Sequence, residues 1–455
     1  MNTQNEKMTN YRWVICSMLF FATTVNYMDR QVLSLTWKDF IAPEFHWTNA
    51  DYGNITATFS IIYALAMLFA GKFVDWMDTK KGYLWSIGVW SFGACLHALC
   101  GIGTEWVVGL DSAEALRIAE GADLVAKIAS ISVTFFIIAR FVLAVGEAGN
   151  FPAAIKATAE FFPKKDRAFA TSIFNAGATV GALAAPVSIP FIAASFGWEL
   201  AFLIIGALGF VWMGFWVFIY KKPEAHPRVN ASELSYIRQD NDHEPAGTTE
   251  APAKKMPFMQ CFTYKQTWAF AFGKFMTDGV WWFFLFWTPA YLSSVYGLDS
   301  TQSAPQIFVL YLITLLSIVG GWLPTYFVEK KGMHPYAGRM RSMLIFAFFP
   351  LLALLAQPLG GMTEEFGALA VWFPVVIIGI AGAAHQAWSA NIFSTVGDMF
   401  PRSAIATVTG IGGMAGGVGA FVINMSSGVL FDYATNTQMQ FMGFKGIEAG
   451  YFIIF

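Results

Sequence analysis

Apolar stretches close to the roughly 20 residues that a helix needs to cross a bilayer recur along nearly the whole chain. In lipid such a segment must satisfy its backbone polar groups internally, which a helix does within itself. The runs place spans at about 13–35, 52–74, 83–103, 131–154, 169–193, 198–220, 267–292, 304–328, 341–357, 368–396 and 405–431, with a last one opening at Tyr451. The expected fold class is an all-α polytopic membrane protein, and because the sequence stops within the run Tyr451–Phe455, its twelfth helix is expected to be truncated. Composition agrees: 56% of residues are hydrophobic and 13% charged, where soluble domains carry about 25% charged. A water-soluble, disordered or nucleic-acid-binding protein is excluded, and a formal charge of -2 offers no net field to a polyanion.

Charge is informative by position. Lysines and arginines gather in alternate loops, among them Lys72, Lys80, Lys81, Lys156, Lys164, Lys165, Arg167, Lys330, Lys331, Arg339, Arg341 and Arg402, together with Lys7 and Arg12 at the start. The loops between carry only Lys38, Arg117, Lys127 and Lys445. Because translocating positive charge is disfavoured, the first set is expected inside and both termini cytoplasmic. The polar lead Met1–Tyr11 lacks a small-residue cleavage pattern, so the first apolar run reads as a span and not a signal peptide. Cys16, Cys95, Cys100 and Cys261 show neither metal-ligand spacing nor a disulfide framework, and no metal or cofactor is expected.

The longest polar stretch, with Pro223, Pro227 and Pro252, reads as a cytoplasmic linker. It divides the chain into an N-terminal six-helix bundle at 1–220, the linker at 221–266 and a C-terminal bundle at 267–455. Internal similarity supports two six-helix halves. Gly71, Lys80, Lys81 and Gly82 in GKFVDWMDTKKG match Gly321, Lys330, Lys331 and Gly332 in GWLPTYFVEKKG, each after an even-numbered span. Duplicated halves around a midplane site are the architecture of secondary transporters.

Ionisable side chains inside spans are costly unless paired or facing water, which makes them candidates for function. Asp29 and Arg30 lie in NYMDR, with a structural pair at the helix end as the alternative. Arg140 and Glu147 stand seven apart in ARFVLAVGEAGNFP, close to two turns, so both project from one helix face. A guanidinium held there can bind a carboxylate through two parallel hydrogen bonds, and a desolvated Glu147 can accept and release a proton. The two together make an anion site beside a proton site, unless each only pairs with a neighbouring helix. Pro152 is expected to end or kink this helix. Lys274 and Asp278 are one turn apart, where an i,i+4 salt bridge is the plainer reading, and Trp281 and Trp282 follow. Either ring could stack on a sugar face, against a core or lipid-belt role. Tyr27 and Tyr63 are possible hydroxyl partners. The tract His385, Gln386, Trp388, Ser389 and Asn391 needs internal partners, which a polyhydroxylated ligand would supply. The glycines Gly410, Gly412, Gly413, Gly416, Gly417 and Gly419 permit close helix approach or a flexing gate.

With these residues assembled, GKFVDWMDTKKG resembles the loop motif of the major facilitator superfamily, although Trp76 and Asp78 stand where basic and glycine residues are usual. NYMDRQVLS, RFVLAVGEAGNFPA, FFPKKDRA, WWFFLFWTPAYL and AWSAN with GIGGMAGG are together similar to the anion:cation symporter branch, most closely bacterial hexuronate transporters. The resemblance implies a multi-pass protein of the bacterial inner (cytoplasmic) membrane that takes up a sugar acid such as glucuronate or galacturonate with protons, by alternating access. It implies Asp29 and Glu147 as proton-coupling carboxylates, Arg30 and Arg140 as their charge partners, and Tyr27, Tyr63 and Lys274 at the substrate cavity. Trp282, Trp388 and Asn391 complete the expected substrate set. Glu147 is expected to compete with substrate for Arg140. The expected partners are a small organic anion, protons and the lipid bilayer, with no nucleic acid, and a monomer is expected. The insert Thr104–Lys127 is longer than the family pattern leads one to expect.

Sodium-coupled or exchange transport of another small organic anion, such as a hexonate, stays open. A membrane sensor would need a large soluble output domain, and an enzyme a catalytic cluster that the scattered His46, His97, His226, His243, His334 and His385 do not make. The protein is expected not to be an enzyme.

Overall fold

The computed structural model describes residues 7–239, 257–400 and 402–455; the middle of the expected linker, 240–256, lies outside the described residues. Helices dominate, with one short hairpin, Gln440–Phe441 against Phe444–Lys445, among the described residues. The long helices are α1 (Tyr11–Thr36), α2 (Asn49–Met77), α3 (Thr79–Ala98), α4 (Ala122–Glu147), α5 (Lys164–Phe196), α6 (Trp198–Ile219), α7 (Lys265–Tyr296), α8 (Ala304–Thr314, continuing to Val319–Lys331), α9 (Pro335–Phe348), α10 (Trp372–Met399) and α11 (Arg402–Thr437). The short α12 (Ile447–Ile454) follows. Eight of these rods are long and apolar enough to cross a membrane, nine when α3 and its bent extension Cys100–Val108 are joined. The two remaining long rods, α1 and α7, are interrupted by charge, at Asp29, Arg30, Lys274 and Asp278. The chain is thus an all-α polytopic membrane protein, and candidate charges also interrupt the apolar α4, at Arg140 and Glu147.

Local chemistry explains the breaks. Downstream of α4 the helix is interrupted at Ala148–Gly149 and resumes as Asn150–Phe161. Pro152 has no N–H to give the carbonyl four residues back, so the interruption falls just before it. Between α2 and α3, Asp78 adopts φ 66°, a conformation that favours glycine. Its carboxylate compensates by accepting from the Thr79 N–H at 2.9 Å and pairing with Lys222 at 3.3 Å, which is how this chain does without the usual glycine of the motif.

The halves meet along α2 and α11. The contact is close because Gly417 faces Ala64 and the Ser60 carbonyl, and a Cβ there would overlap Ala64. At one end of the bundle polar latches join the halves. Asp432 of α11 accepts from the Asn49 N–H (3.0 Å), the Asn49 amide (2.8 Å) and the Ala50 N–H (2.6 Å), so it covers the otherwise unsatisfied start of α2. Asp39 accepts from the Ser300 N–H at 2.6 Å and from its hydroxyl, and Tyr52 donates to the Phe286 carbonyl at 2.8 Å.

The long insert is ordered and packs onto the same end. Cys100–Val108 prolongs α3 and a short helix, Ala113–Arg117, follows. Leu116 is fully buried, its carbonyl is 2.9 Å from His46 Nε2, and Arg117 reaches within 3.9 Å of Glu44. Glu44 also accepts from Trp198 Nε1 at 2.9 Å. The insert therefore braces the α1–α2 connection that carries Asp39 and Asn49. Burial pushes the Glu44 carboxyl up from its ordinary 4.5 to about 7, with the Trp198 hydrogen bond only partly opposing it. The folded brace holds a proton that the opened chain would release, so its contribution is fully present below about pH 4.5 and is lost as pH rises through about 7. The melting midpoint of the purified protein should fall between pH 5 and pH 8, and Glu44→Gln should flatten that fall.

Candidate functional site

The site forms where α1, α2, α4 and α7 converge. Arg30 projects from α1 and donates through Nε (3.0 Å) and Nη2 (2.6 Å) to Oε2 of Glu147 on α4. Both side chains are almost wholly buried, 5% and 0% exposed. Four aromatic rings surround the guanidinium: Tyr63 at 4.7 Å, Trp282 at 5.1 Å, Tyr27 at 5.2 Å and Phe59 at 5.7 Å. Ring faces attract a desolvated cation, so this box and the carboxylate together offset the cost of removing Arg30 from water. Tyr27, Phe59 and Tyr63 belong to the N-terminal half and Trp282 to the C-terminal half, so the cation is enclosed by both.

Arg140 also lies near Phe59, 5.3 Å from its ring. It is 1% exposed, and its Nε and Nη1 have no hydrogen-bond partner among the described residues. The same holds for both oxygens of Asp29, Oε1 of Glu147 and both amide atoms of Asn26, all buried. Unpaired buried polar atoms are costly, and several of them gather in this region.

Residue spacing puts Arg140 and Glu147 on one helix face, with pairing to a neighbouring helix as the alternative; in the fold Glu147 pairs with Arg30 of α1. Seven residues are about 10 Å along a helix axis, whereas Arg30 reaches from α1 to within 2.6 Å of the Glu147 carboxylate. Arg140 and Glu147 do face the same interior region, with Phe59 touching both guanidiniums.

In the other half, Lys274 donates to Asp278 at 2.7 Å, the plain i,i+4 bridge, and to Ser389 at 3.2 Å. His385 Nε2 stands 3.6 Å from the same Asp278 oxygen, and its ring lies parallel to Trp281. Asn391 donates to the Gly320 and Ala387 carbonyls, both at 2.8 Å, and Trp388 fills the space beside Gly273 of α7. Trp388 and Asn391 thus join helices within the C-terminal half, away from the arginine box. Residue spacing alone did not point to Asn26, Phe59 or the His385–Asp278 contact. Asn26 could have been found, since it lies one turn before Arg30 on the same face; Phe59 is one of 45 phenylalanines and carried no signal.

Two duplicated bundles around a buried charged centre match the Major Facilitator Superfamily over residues 19–423. The chain belongs to that superfamily. It is therefore a membrane transport protein and not an enzyme. It is 27% identical over 427 residues to the hexuronate transporter of Escherichia coli strain K12, covering 94% of this chain and 89% of that one. It is also 27% identical to the galacturonate transporter of Dickeya chrysanthemi (80% and 95% covered) and 25% identical to a probable galactarate/D-glucarate transporter of Escherichia coli K12 (98% and 94%). Among solved structures, a bacterial homolog of the human lysosomal transporter Spinster superposes with a TM-score of 0.65 at 18% identity, covering 95% and 84% of the two chains. A D-xylose-proton symporter superposes with a TM-score of 0.62 at 14% identity, covering 98% and 95%.

Breaking the central pair should be asymmetric. Arg30 cannot shed its charge, whereas a stranded Glu147 can take up a proton. Glu147→Gln should therefore destabilise the ligand-free protein by about 3 kcal/mol or more and Arg30→Gln by less. The double substitution should recover most of the loss, read as melting midpoints in detergent.

Proposed function

We propose that the protein takes up a sugar-acid anion, a hexuronate such as glucuronate or galacturonate, together with protons by alternating access. The observation that carries this reading is the Arg30–Glu147 pair inside a box shared by both halves. A cation held by an internal carboxylate is released when that carboxylate is protonated, and a substrate carboxylate can then take its place. Proton and anion thus become conditions for each other, which is the requirement for symport.

In the proposed cycle a proton reaches Glu147, with Asp29 as a second acceptor, and Arg30 turns to the substrate carboxylate beside Arg140. Tyr27, Tyr63 and Trp282 contact the sugar, the tyrosines through hydroxyl hydrogen bonds and the indole by stacking. With the charges neutralised, the halves rock about the bound ligand. On the far side the proton leaves Glu147, which recaptures Arg30 and expels the anion. By the distribution of lysine and arginine in the loops, the end latched by Asp432 and Asp39 faces outward, so the conformation described is closed to the outside. The sugar-acid names carried by the relatives support the substrate class, and uptake into a bacterial cell across its inner membrane follows from the same reading.

The test is accumulation of labelled glucuronate in proteoliposomes under an inward proton gradient, with and without sodium. Accumulation that a protonophore abolishes and sodium does not change is expected; dependence on sodium would contradict the coupling. Glu147→Gln mimics the protonated state. It should still bind glucuronate and lose gradient-driven accumulation. Because the bound carboxylate replaces the missing partner of Arg30, glucuronate should raise the melting midpoint of Glu147→Gln more than that of the unmodified protein.

A further inference from the structure

The charged group of the C-terminal half is unused by this cycle. It occupies α7 and α10, the first and fourth helices of their half, as the arginine site occupies α1 and α4 of the other. Each half therefore holds a buried cation on a carboxylate of its own helices: Arg30 on Glu147, and Lys274 on Asp278. Lys274 and His385 are 3% and 5% exposed, while the Asp278 side chain keeps 15%, so the group reaches accessible space through the carboxylate. Gly416 of α11 makes the room: a Cβ there would overlap Asp278. Both His385 ring nitrogens lack a hydrogen-bond partner among the described residues, although Nε2 is near enough to Asp278 to pair with it if protonated.

Lys274, Asp278 and Trp282 form one i, i+4, i+8 stripe along α7. Lys274 and Trp282 are eight residues apart, about 12 Å of helix axis, and Arg30 lies 5.1 Å from the Trp282 ring, so the two cations flank one stretch of α7. An extended six-carbon diacid of about 6 Å, with an ion-pair contact of about 2.8 Å at each end, has a reach of the same order as that stretch of helix.

We propose that Lys274, Asp278 and His385 form a second carboxylate subsite, which takes the far carboxylate of a six-carbon sugar diacid while its near carboxylate lies on the arginines. The proposal rests on the sugar-acid reading above and narrows it: the diacid is preferred over the monoacid. When the ligand draws Lys274 Nζ from Asp278, that carboxylate would be left buried and unpaired. His385 then takes one proton from the aqueous cavity and replaces lysine as its partner, so the ligand's second negative charge enters with one further proton. The groups facing this exchange are Lys274 and Asp278 on α7 and His385 and Ser389 on α10; α11 contributes Gly416.

The test is equilibrium binding of glucarate and glucuronate in competition on the purified full chain, with proton uptake followed by an indicator dye in weak buffer. The unmodified protein should prefer glucarate. Lys274→Gln should lower that preference by about tenfold or more, and Lys274→Arg should keep it within about threefold. His385→Gln should remove the additional proton taken up with glucarate and leave the proton count with glucuronate as it was. A preference that is absent in the unmodified protein, or unchanged in Lys274→Gln, would overturn the subsite. Binding of neither acid would overturn the sugar-acid reading itself and the subsite with it.

Discussion

A guanidinium keeps its charge at any pH a cell offers, so an arginine in the middle of a helical bundle commits the surrounding structure to neutralising it. Arg30 fixes Glu147 opposite, gathers Tyr27, Phe59, Tyr63 and Trp282 around it, and draws one ring from the C-terminal half. The enclosure is strong only while Glu147 stays ionised. Because a carboxylate can be neutralised by a proton and an arginine cannot, the pair has one adjustable member, and the adjustable member decides when the cation is available.

The latches at the end of the bundle are of another kind. Asp432 on the start of α2, Asp39 on Ser300 and Tyr52 on the Phe286 carbonyl are hydrogen bonds between side chains and backbone, amide or hydroxyl groups, with Lys38 near both carboxylates. Each could exchange its partner for water, at a modest net cost, in the rocking that the proposed cycle requires. The bundle thus concentrates its large electrostatic terms at the centre and places exchangeable contacts at the rim. The insert braces the rim through Leu116, Arg117 and Glu44, at the connection that presents Asp39 and Asn49.

Helical spans were legible in the chain because a bilayer demands length and apolarity together, and the structure has long helices over each of the complete spans. Asp29, Arg30, Arg140, Glu147 and Lys274 were legible as interior charges for the same reason. Partnership was not. Arg30 and Glu147 are 117 positions apart, and nothing on either helix indicates the angle at which the two cross. Local spacing sees only contacts within one helix, which is why Lys274–Asp278 was open to it and Arg30–Glu147 was not. Trp388 and Asn391 show partners that spacing did not indicate: Trp388 lies beside Gly273, and Asn391 donates to the Gly320 carbonyl. Asp78 departs from the glycine of the loop motif, yet keeps a glycine-like backbone with Thr79 and Lys222 as support.

The account turns on a proton moving to Glu147 as an anion takes Arg30. Infrared difference spectroscopy of the purified protein on addition of glucuronate observes that event directly, because a protonated carboxyl in an apolar pocket has its own carbonyl band. The predicted result is a new carboxylic-acid band with loss of a carboxylate band, present in the unmodified protein and missing in Glu147→Gln. Saturable glucuronate binding with no such band, or with the band intact in Glu147→Gln, would contradict it.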